Sequence, residues 1–518
     1  MSRFISRRRF LEDSLLGITA AAGAAYAATT ADVLAQQSAG STAANDKIGI
    51  AMIGSGSRAK QHFAGLKGNS QYTFLYIVDP DANQMPDKFI DEIADRQDGI
   101  KPQRIADMRK AFDDKLVDVV YCAPTNHWHA LTGIWAVQAG KHVYLEKPGS
   151  HNIHEGLALA AASKKYNKVV QIGTQCRSNA SNINAVAFIR EGGIGEVKFS
   201  RGLCYKRRGA IGARGEYPVP ATVDYDIWSG PAPIKPLTRK RFDYDWHWQR
   251  LYGNGDLGNQ GPHQTDIARW HLGLERHPNA IISYGGRLGY DKVNPNNNAP
   301  NYIDAGDTAN TEISIYDYGD KCIVFETRGL ATPDLRIPHA PEGDKGAGTS
   351  VGVITYGSKG YVVQSEYHYS AAYDLEGNRI REFRGGGDQD HRRNFMDAVI
   401  KGDPSAVNAD AACGALSSAL SHLGNISYYL GEANKVSVPE LKSALKEIKS
   451  LDDDDATVDR TVEHLQASKV ELDRTPMSVG PLLKFDSEAK RFIGNDAANA
   501  MLTREYRAPY IVPKPEDV

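Results

Sequence analysis

A chain of 518 residues, 41% hydrophobic and 24% charged, is too long for one hydrophobic core and divides into two or three domains. Its 61 Lys and Arg against 63 Asp and Glu leave a net charge of −2, so no global field draws it to nucleic acid or an anionic membrane. Five widely spaced cysteines (Cys122, Cys176, Cys204, Cys322, Cys413) with no C-x-x-C pair exclude a disulfide-dense scaffold and a cysteine zinc site, leaving one or two bridges open. Two basic runs, Lys206-Arg207-Arg208 and Arg239-Lys240-Arg241, read as solvated faces.

The N-terminus reads as an export address. Ser6-Arg7-Arg8-Arg9-Phe10-Leu11 fits the twin-arginine pattern, an Ala-rich stretch follows from Leu15 to Ala28, and Val33-Leu34-Ala35 places small residues before a cut at Gln36. Residues 1–35 are therefore expected to be a signal peptide and 36–46 a polar linker. The mature chain is expected to be soluble, off the membrane, and periplasmic or otherwise exported. The twin-arginine route moves folded proteins, so it points to a tightly retained cofactor.

A dinucleotide site opens the next block. Lys47 to Ile53 is a buried-type strand, and Gly54-Ser55-Gly56-Ser57-Arg58-Ala59 follows as G-x-G-x-x-A at the head of a helix through Leu66. Gly54 allows the tight turn, Gly56 lets backbone approach a pyrophosphate, and Ala59 lets the helix pack against the strand. The strand Tyr72 to Val78 ends in Asp79, placed to bond a ribose 2′-hydroxyl and to favour NAD over NADP.

The βα rhythm continues. Arg104 to Phe112 reads as helix, Val117 to Ala123 as strand, Ala130 to Ala139 as helix and His142 to Leu145 as strand. Thr125-Asn126-His127-Trp128-His129 falls at a strand's carboxyl end, where open α/β sheets bind ligands. Glu146-Lys147-Pro148 falls at the next, where a lysine can polarise a hydroxyl.

Gly54-x-Gly56-x-x-Ala59, the Thr125–His129 loop and Ala139-Gly140-Lys141-His142-Val143-x-x-Glu146-Lys147-Pro148 resemble the glucose-fructose oxidoreductase/inositol dehydrogenase/rhizopine-catabolism (Gfo/Idh/MocA) family, over about residues 47–432. The resemblance implies an α/β protein. An N-terminal Rossmann domain (47–175) would precede an α/β domain with an open, mostly antiparallel sheet (176–432), through which copies pair as a homo-oligomer. It also implies that Lys147 is catalytic and that Thr125, Asn126, His129, Glu146 and Lys147 contact the cofactor with the glycine turn, Ser57, Arg58 and Asp79.

The second domain carries a dense polar-aromatic stretch, Phe242 to Trp248, then a Gly-rich loop running to His263. Aromatic faces beside acids and amides suit a sugar, so Tyr205, Trp246, His247, Asn259 and His263 join Lys147 as candidate substrate contacts. His263, Asp266 and His271 are poorly spaced for a three-ligand metal set, and no metal is expected. By resemblance His263 is the family's second-domain catalytic histidine, which commonly follows an aspartate by four residues. Here that position is Asn259, which can orient a hydroxyl but cannot exchange a proton. Asp256 and Tyr205 are candidate compensators.

Strands are expected at Ile313–Tyr318, Lys321–Thr327 and Tyr361–Ser365, lids at Asn294–Asn301 and Pro341–Thr349, and helices at His391–Lys401 and Ala411–Leu430. Residues 433–518 form an extension with extended segments at Leu482–Phe492 and Tyr506–Val512. These readings together indicate an NAD-dependent oxidoreductase acting on a hydroxyl of a sugar or glycoside. A redox-neutral glycoside hydrolase or lyase that oxidises, eliminates and reduces, and a non-catalytic sugar- or nucleotide-binding protein, are the alternatives.

Overall fold

The computed structural model describes residues 47–290, 292–293 and 300–518. The twin-arginine segment and most of Asn294–Asn301 lie outside them. Six strands, β1 (Ile48–Ile53), β2 (Tyr72–Val78), β3 (Gln103–Ile105), β4 (Val119–Cys122), β5 (His142–Leu145) and β6 (Val170–Ile172), form a parallel sheet in the order β3-β2-β1-β4-β5-β6. This is the order of doubly wound dinucleotide-binding sheets, whose ligand crevice opens where β1 and β4 diverge. Side chains alternate along β1: Ile50 and Met52 pack with Phe63, Ile77 and Tyr144, whereas Ala51 and Ile53 pack with Leu131, Ile134 and Leu159. Both faces are covered, which is why the strands read as unbroken apolar runs. The expected helix over Arg104–Phe112 is instead β3 followed by a short helix, Arg109–Asp113, because Ile105 pairs with Val78 at the sheet edge.

The second sheet has eleven strands and is open. Val197–Cys204 runs parallel to Cys322–Arg328; the other pairings are antiparallel. One face packs on the helices Gly261–Leu272 and Ala411–Leu430 through Ile281, Ile323, Phe325, Ile267 and Leu423. The chain also returns to the first sheet: Phe395 of the helix Asp388–Lys401 packs between Tyr121 and Tyr144.

Most of the extension packs on this second body, while its last residues pack on the first. Its helices Val438–Leu445 and Asp454–Ala467 cover the opposite face, Leu441, Leu445, Val458 and Leu465 packing on Ile282, Tyr284, Ile313, Ile315 and Val324. The acidic run Asp452–Asp455 starts the second of these helices. Asp453 accepts a hydrogen bond from the Ala456 amide (3.0 Å), and Asp452 pairs with the buried Arg201. Leu483–Asp486 and Arg491–Phe492 join the sheet as expected, but Tyr506–Val512 contains no strand. There Tyr510 lies on Trp128 and Trp135, ring centroids 5.3 and 6.2 Å away.

Pro341–Thr349 is held against the sheet by Asp344, which accepts from Tyr373 (3.1 Å) and pairs with Arg379 (2.6 Å), and it does not border the cavity described below. All five cysteines are free thiols, four of them buried.

Candidate active site

One cavity of about 560 Å³ lies between the two domains, at the carboxyl ends of β1, β2, β4 and β5. Its Rossmann wall begins at the glycine turn. Gly54 sits at φ 76°, and a Cβ there would meet the Ala123 carbonyl oxygen at 2.5 Å, so the position requires glycine. A Cβ on Gly56 would meet nothing within 4 Å, leaving room for a ligand against the backbone. The helix Ser57–Leu66 starts at Gly56 with no side-chain cap, so its first amides and the positive end of its dipole face the cavity unneutralised. These features fit a pyrophosphate.

Asp79 borders the same cavity. Its Oδ2 accepts from the Ser55 amide (2.8 Å) and hydroxyl (3.1 Å), and its Oδ1 from the Asp81 amide (2.9 Å). Burial lifts its pKa to about 6 against the pull of those bonds. The second domain closes over this end: Ala82 N donates to Thr222 O (3.0 Å), Asp224 N to Pro80 O (2.8 Å) and Asn83 Nδ2 to Thr222 Oγ1 (3.1 Å). A dinucleotide lying on Asp79 would thus be roofed by residues 222–224.

Deeper in, Glu146 gathers the polar floor. Its carboxylate accepts from Arg58 Nε (2.7 Å) and Gln175 Nε2 (3.1 Å), with His62 Nε2 at 3.1 Å; Arg58 also pairs with Asp388 (2.9 Å). Burial alone would raise the Glu146 carboxyl, but Arg58, His62 and Lys147 hold it well below the usual carboxylate range. Thr125, Asn126 and His129 line the β4 end, with Asn126 Nδ2 donating to Asn254 Oδ1 (3.2 Å) across the domain boundary and burial taking the His129 imidazole down to about 4.

The second-domain wall brings three candidates to one place. Lys147, carried into the cleft by the turn after β5, donates from Nζ to both the backbone oxygen (2.7 Å) and Oδ1 (3.0 Å) of Asn259. Burial lowers its pKa to about 8, Arg58 and Lys206 pushing the same way and Glu146 opposing. His263, one turn into the helix Gly261–Leu272, borders the cavity with its Nδ1 buried and unpartnered. Burial, then Lys147, takes it down to about 3, so its imidazole is neutral near pH 7. Trp246 and His247 border the same space with stacked rings, centroids 3.6 Å apart. Tyr244, held at φ 63°, stands beside them.

Several readings of the sequence are corrected. Tyr205 does not reach the cavity: it is buried, and its hydroxyl donates to Glu326 (2.6 Å). Asp256 is paired with Arg208 (3.0 Å) and does not border the cavity, though its charge still reaches Lys147 from the same short helix that carries Asn259. The basic runs are solvated faces only in part: Lys206, Arg207, Lys240 and Arg241 are exposed, Arg208 is half-buried and Arg239 is not exposed at all. Lys206 and Arg208 border the cavity, and Arg239 is fully buried among the rings of Trp228, Phe242 and Tyr252. Asp266 makes a two-point pair with Arg177 (2.8 and 2.9 Å) and His271 Nδ1 lies 2.7 Å from Thr355 Oγ1, away from His263. Gln175, Gln260, Tyr367 and Asp388 also line the cavity; no local motif marks them.

A doubly wound parallel sheet with an uncapped glycine turn, facing a second sheet across a polar cleft, defines a two-domain dinucleotide-binding protein. Residues 48–174 match the NAD-binding Rossmann fold and residues 207–284 the C-terminal alpha/beta domain of the Gfo/Idh/MocA oxidoreductase family. Levoglucosan dehydrogenase of Pseudarthrobacter phenanthrenivorans is 31% identical over 179 residues, covering 34% of this chain and 39% of that protein. An uncharacterized oxidoreductase of Escherichia coli is 23% identical over 30% of this chain and 42% of its own length. The chain thus aligns with under half the length of these curated relatives.

A solved levoglucosan dehydrogenase in complex with NADH and levoglucosan superposes with TM-score 0.51 at 18% identity, covering 73% of this chain and 96% of that one. Aldose-aldose oxidoreductase from Caulobacter crescentus, complexed with glycerol, superposes with TM-score 0.50 at 17% identity over 73% and 97%. These likenesses establish the fold.

Proposed function

We propose that this protein is an exported oxidoreductase that uses tightly held NAD to oxidise a hydroxyl of a sugar or glycoside. The observation that carries it is the convergence of Lys147, Asn259 and His263 on a cavity whose other wall fits a dinucleotide pyrophosphate. The homology to a levoglucosan dehydrogenase supports a carbohydrate as substrate. Bound NAD supplies a hydride acceptor.

The chain supplies the rest. Gly54, Gly56 and the amides of Ser57 and Arg58 hold the pyrophosphate, and Asp79 holds the ribose. Lys147 binds the reacting hydroxyl and, with a pKa near 8, exists partly as the free amine that takes its proton. Asn259 orients the lysine through Oδ1. His263, neutral, accepts or donates a hydrogen bond to the same or the neighbouring hydroxyl. Trp246 and His247 offer an aromatic face to the apolar side of a ring.

The roof over Asp79 supports retention of the cofactor between turnovers, which suits export by the twin-arginine route, where free NAD is scarce. Self-association through the second sheet stays in the proposal only for surface outside the cover made by Val438–Ala467. A single monomer boundary in sedimentation removes it.

The test is to isolate the mature protein without added cofactor, identify its bound nucleotide by mass spectrometry, and present a glycoside panel with and without a keto-sugar acceptor. Nucleotide-free protein with only weak rebinding would overturn retention. Glycoside cleavage without any acceptor would favour the redox-neutral alternative over net oxidation.

A further inference from the structure

The run Lys206-Arg207-Arg208 follows the strand Val197–Cys204, and its first and third residues enter the cavity. Lys206 Nζ donates to Gln260 Oε1 (3.2 Å), while Lys147 Nζ donates to Oδ1 of the adjacent Asn259 (3.0 Å). Two ammonium groups therefore rest on consecutive neutral amides at the head of the helix Gly261–Leu272, near enough for Lys206 to depress the Lys147 pKa. Arg208, by contrast, is neutralised by Asp256 (3.0 Å). Among the described residues no carboxylate pairs with Lys206. The acids bordering the cavity are otherwise engaged: Glu146 and Asp388 on Arg58, Asp79 on Ser55, and Asp81 and Asp243 beside Gln84 at the Asp79 end. The helix dipole adds positive potential at the same point.

Lys147 has the charges of Glu146 and Asp256 near it, but a site that takes only a neutral sugar gains nothing from a second ammonium, Lys206, which pairs with no carboxylate among the described residues and repels Lys147. A carboxylate at position 259 would offset one positive charge; asparagine leaves it available.

We propose that Lys206 binds an anionic group on the substrate, so that the protein's carbohydrate is a sugar acid or a glycoside bearing a uronic acid. Lys147 serves the reacting hydroxyl, which leaves one ammonium for the anion. One positive charge matches a monoanionic carboxylate rather than a dianionic phosphate. Arg208, paired with Asp256, also borders the cavity, and Trp246 and His247 take the ring. This assignment rests on the sugar-oxidoreductase reading and adds the substrate's charge to it.

The test uses the full mature chain with NAD bound and measures calorimetric affinity and cofactor reduction for glucose, glucuronate and glucose 6-phosphate. Glucuronate is expected to bind about tenfold more tightly than glucose, the discrimination of a single charge-assisted contact, and to lose that advantage as salt rises. Lys206→Gln should erase the difference between acid and neutral sugar, and Lys206→Arg should restore most of it. Both variants are checked for retained nucleotide as evidence of folding.

Equal affinity for glucose and glucuronate, or discrimination that survives in Lys206→Gln, overturns the anion site. Tightest binding of the phosphate overturns the carboxylate assignment. Oxidation of neutral sugars with a KM indifferent to Lys206 leaves the sugar-oxidoreductase reading standing while this inference falls. Failure of every sugar, neutral or acidic, to bind or reduce the cofactor removes both.

Discussion

Lys147 Nζ lies 2.7 Å from the backbone oxygen and 3.0 Å from Oδ1 of Asn259, so a cleft lysine is anchored by an amide rather than by a carboxylate. Because the amide carries no charge, burial prevails and the lysine pKa falls to about 8. Introducing Asn259→Asp places an anion at hydrogen-bond distance, which favours the ammonium and raises that pKa. If the free amine takes the hydroxyl proton, kcat/KM of the parent rises with pH through about 8. In the variant the rise should begin about one to two pH units higher, and activity at pH 7 should fall by about tenfold for each pH unit that the inflection moves. A pH–rate profile that stays in place rules out Lys147 as the titrating base.

Removing the base altogether should be costlier. Lys147→Ala is expected to lower kcat/KM by about 10² to 10⁴. His263→Ala should lower it less, because an imidazole with its pKa near 3 hydrogen-bonds but does not titrate near neutrality. The His263 variant should therefore keep the parent's alkaline inflection. Both should retain nucleotide, measured as the absorbance ratio of the purified proteins.

The first domain was legible because its signals are local. A buried strand, a glycine turn, a helix and an acid at the next strand end follow one another within 32 residues, from Ile48 to Asp79. Lys147, Asn259 and His263 were reachable through motif resemblance. What escaped was set by distant partners. Tyr205 carries the right chemistry for a sugar contact, but Glu326, 121 positions away, claims its hydroxyl. Lys206 and Arg239 look alike as members of basic runs. One reaches the cavity, and the other is buried under three aromatic rings; only the tertiary fold separates them. The helices Val438–Leu445 and Asp454–Ala467 were missed because their apolar faces are meaningful only against the sheet they cover.

Asp79 gives a pH signature to cofactor binding. Its folded pKa, about 6, is above the ordinary aspartate value of 3.8. On this group alone the folded state gains stability relative to the unfolded one as pH falls from about 6 to about 4, because protonation relieves the buried charge. Ligand binding runs the other way. The protonated carboxyl is a weaker acceptor for Ser55 and for a ribose hydroxyl, so the NAD dissociation constant should rise by about tenfold from pH 7 to pH 5. Asp79→Asn removes the titration. Fluorescence titration with NADH reads both, and an NAD affinity flat across that range in the parent contradicts the role of Asp79.

Glu146 should matter first for stability. Glu146→Ala leaves Arg58 with Asp388 and Gln61 and leaves His62 and Gln175 short of a partner in a buried floor. The expected cost is about 2 to 4 kcal/mol, the lower end reflecting the ion pair that survives. Urea unfolding checks it. A loss of nucleotide affinity larger than the loss of stability would show Glu146 touching the cofactor directly.

The extension offers the sharpest contrast between a decorative tail and a structural one. Leu441 and Leu465 are fully buried against Ile282, Tyr284 and Ile313, and Asp452 and Thr457 accept from Arg201 on the same face. Stripping this layer would expose an apolar strip along four strands of the second sheet, a surface that soluble monomers rarely leave open. Leu441→Ala and Leu465→Ala should each cost about 2 to 4 kcal/mol. Because both helices pack on the same strands that carry Tyr284 and Phe325, the loss should appear in the unfolding of the second domain as a whole. Hydrogen exchange would then show Ala280–Gly286 and Thr311–Asp317 losing protection along with the extension. Exchange that rises in residues 438–467 while those strands stay protected would make the extension a separable appendage.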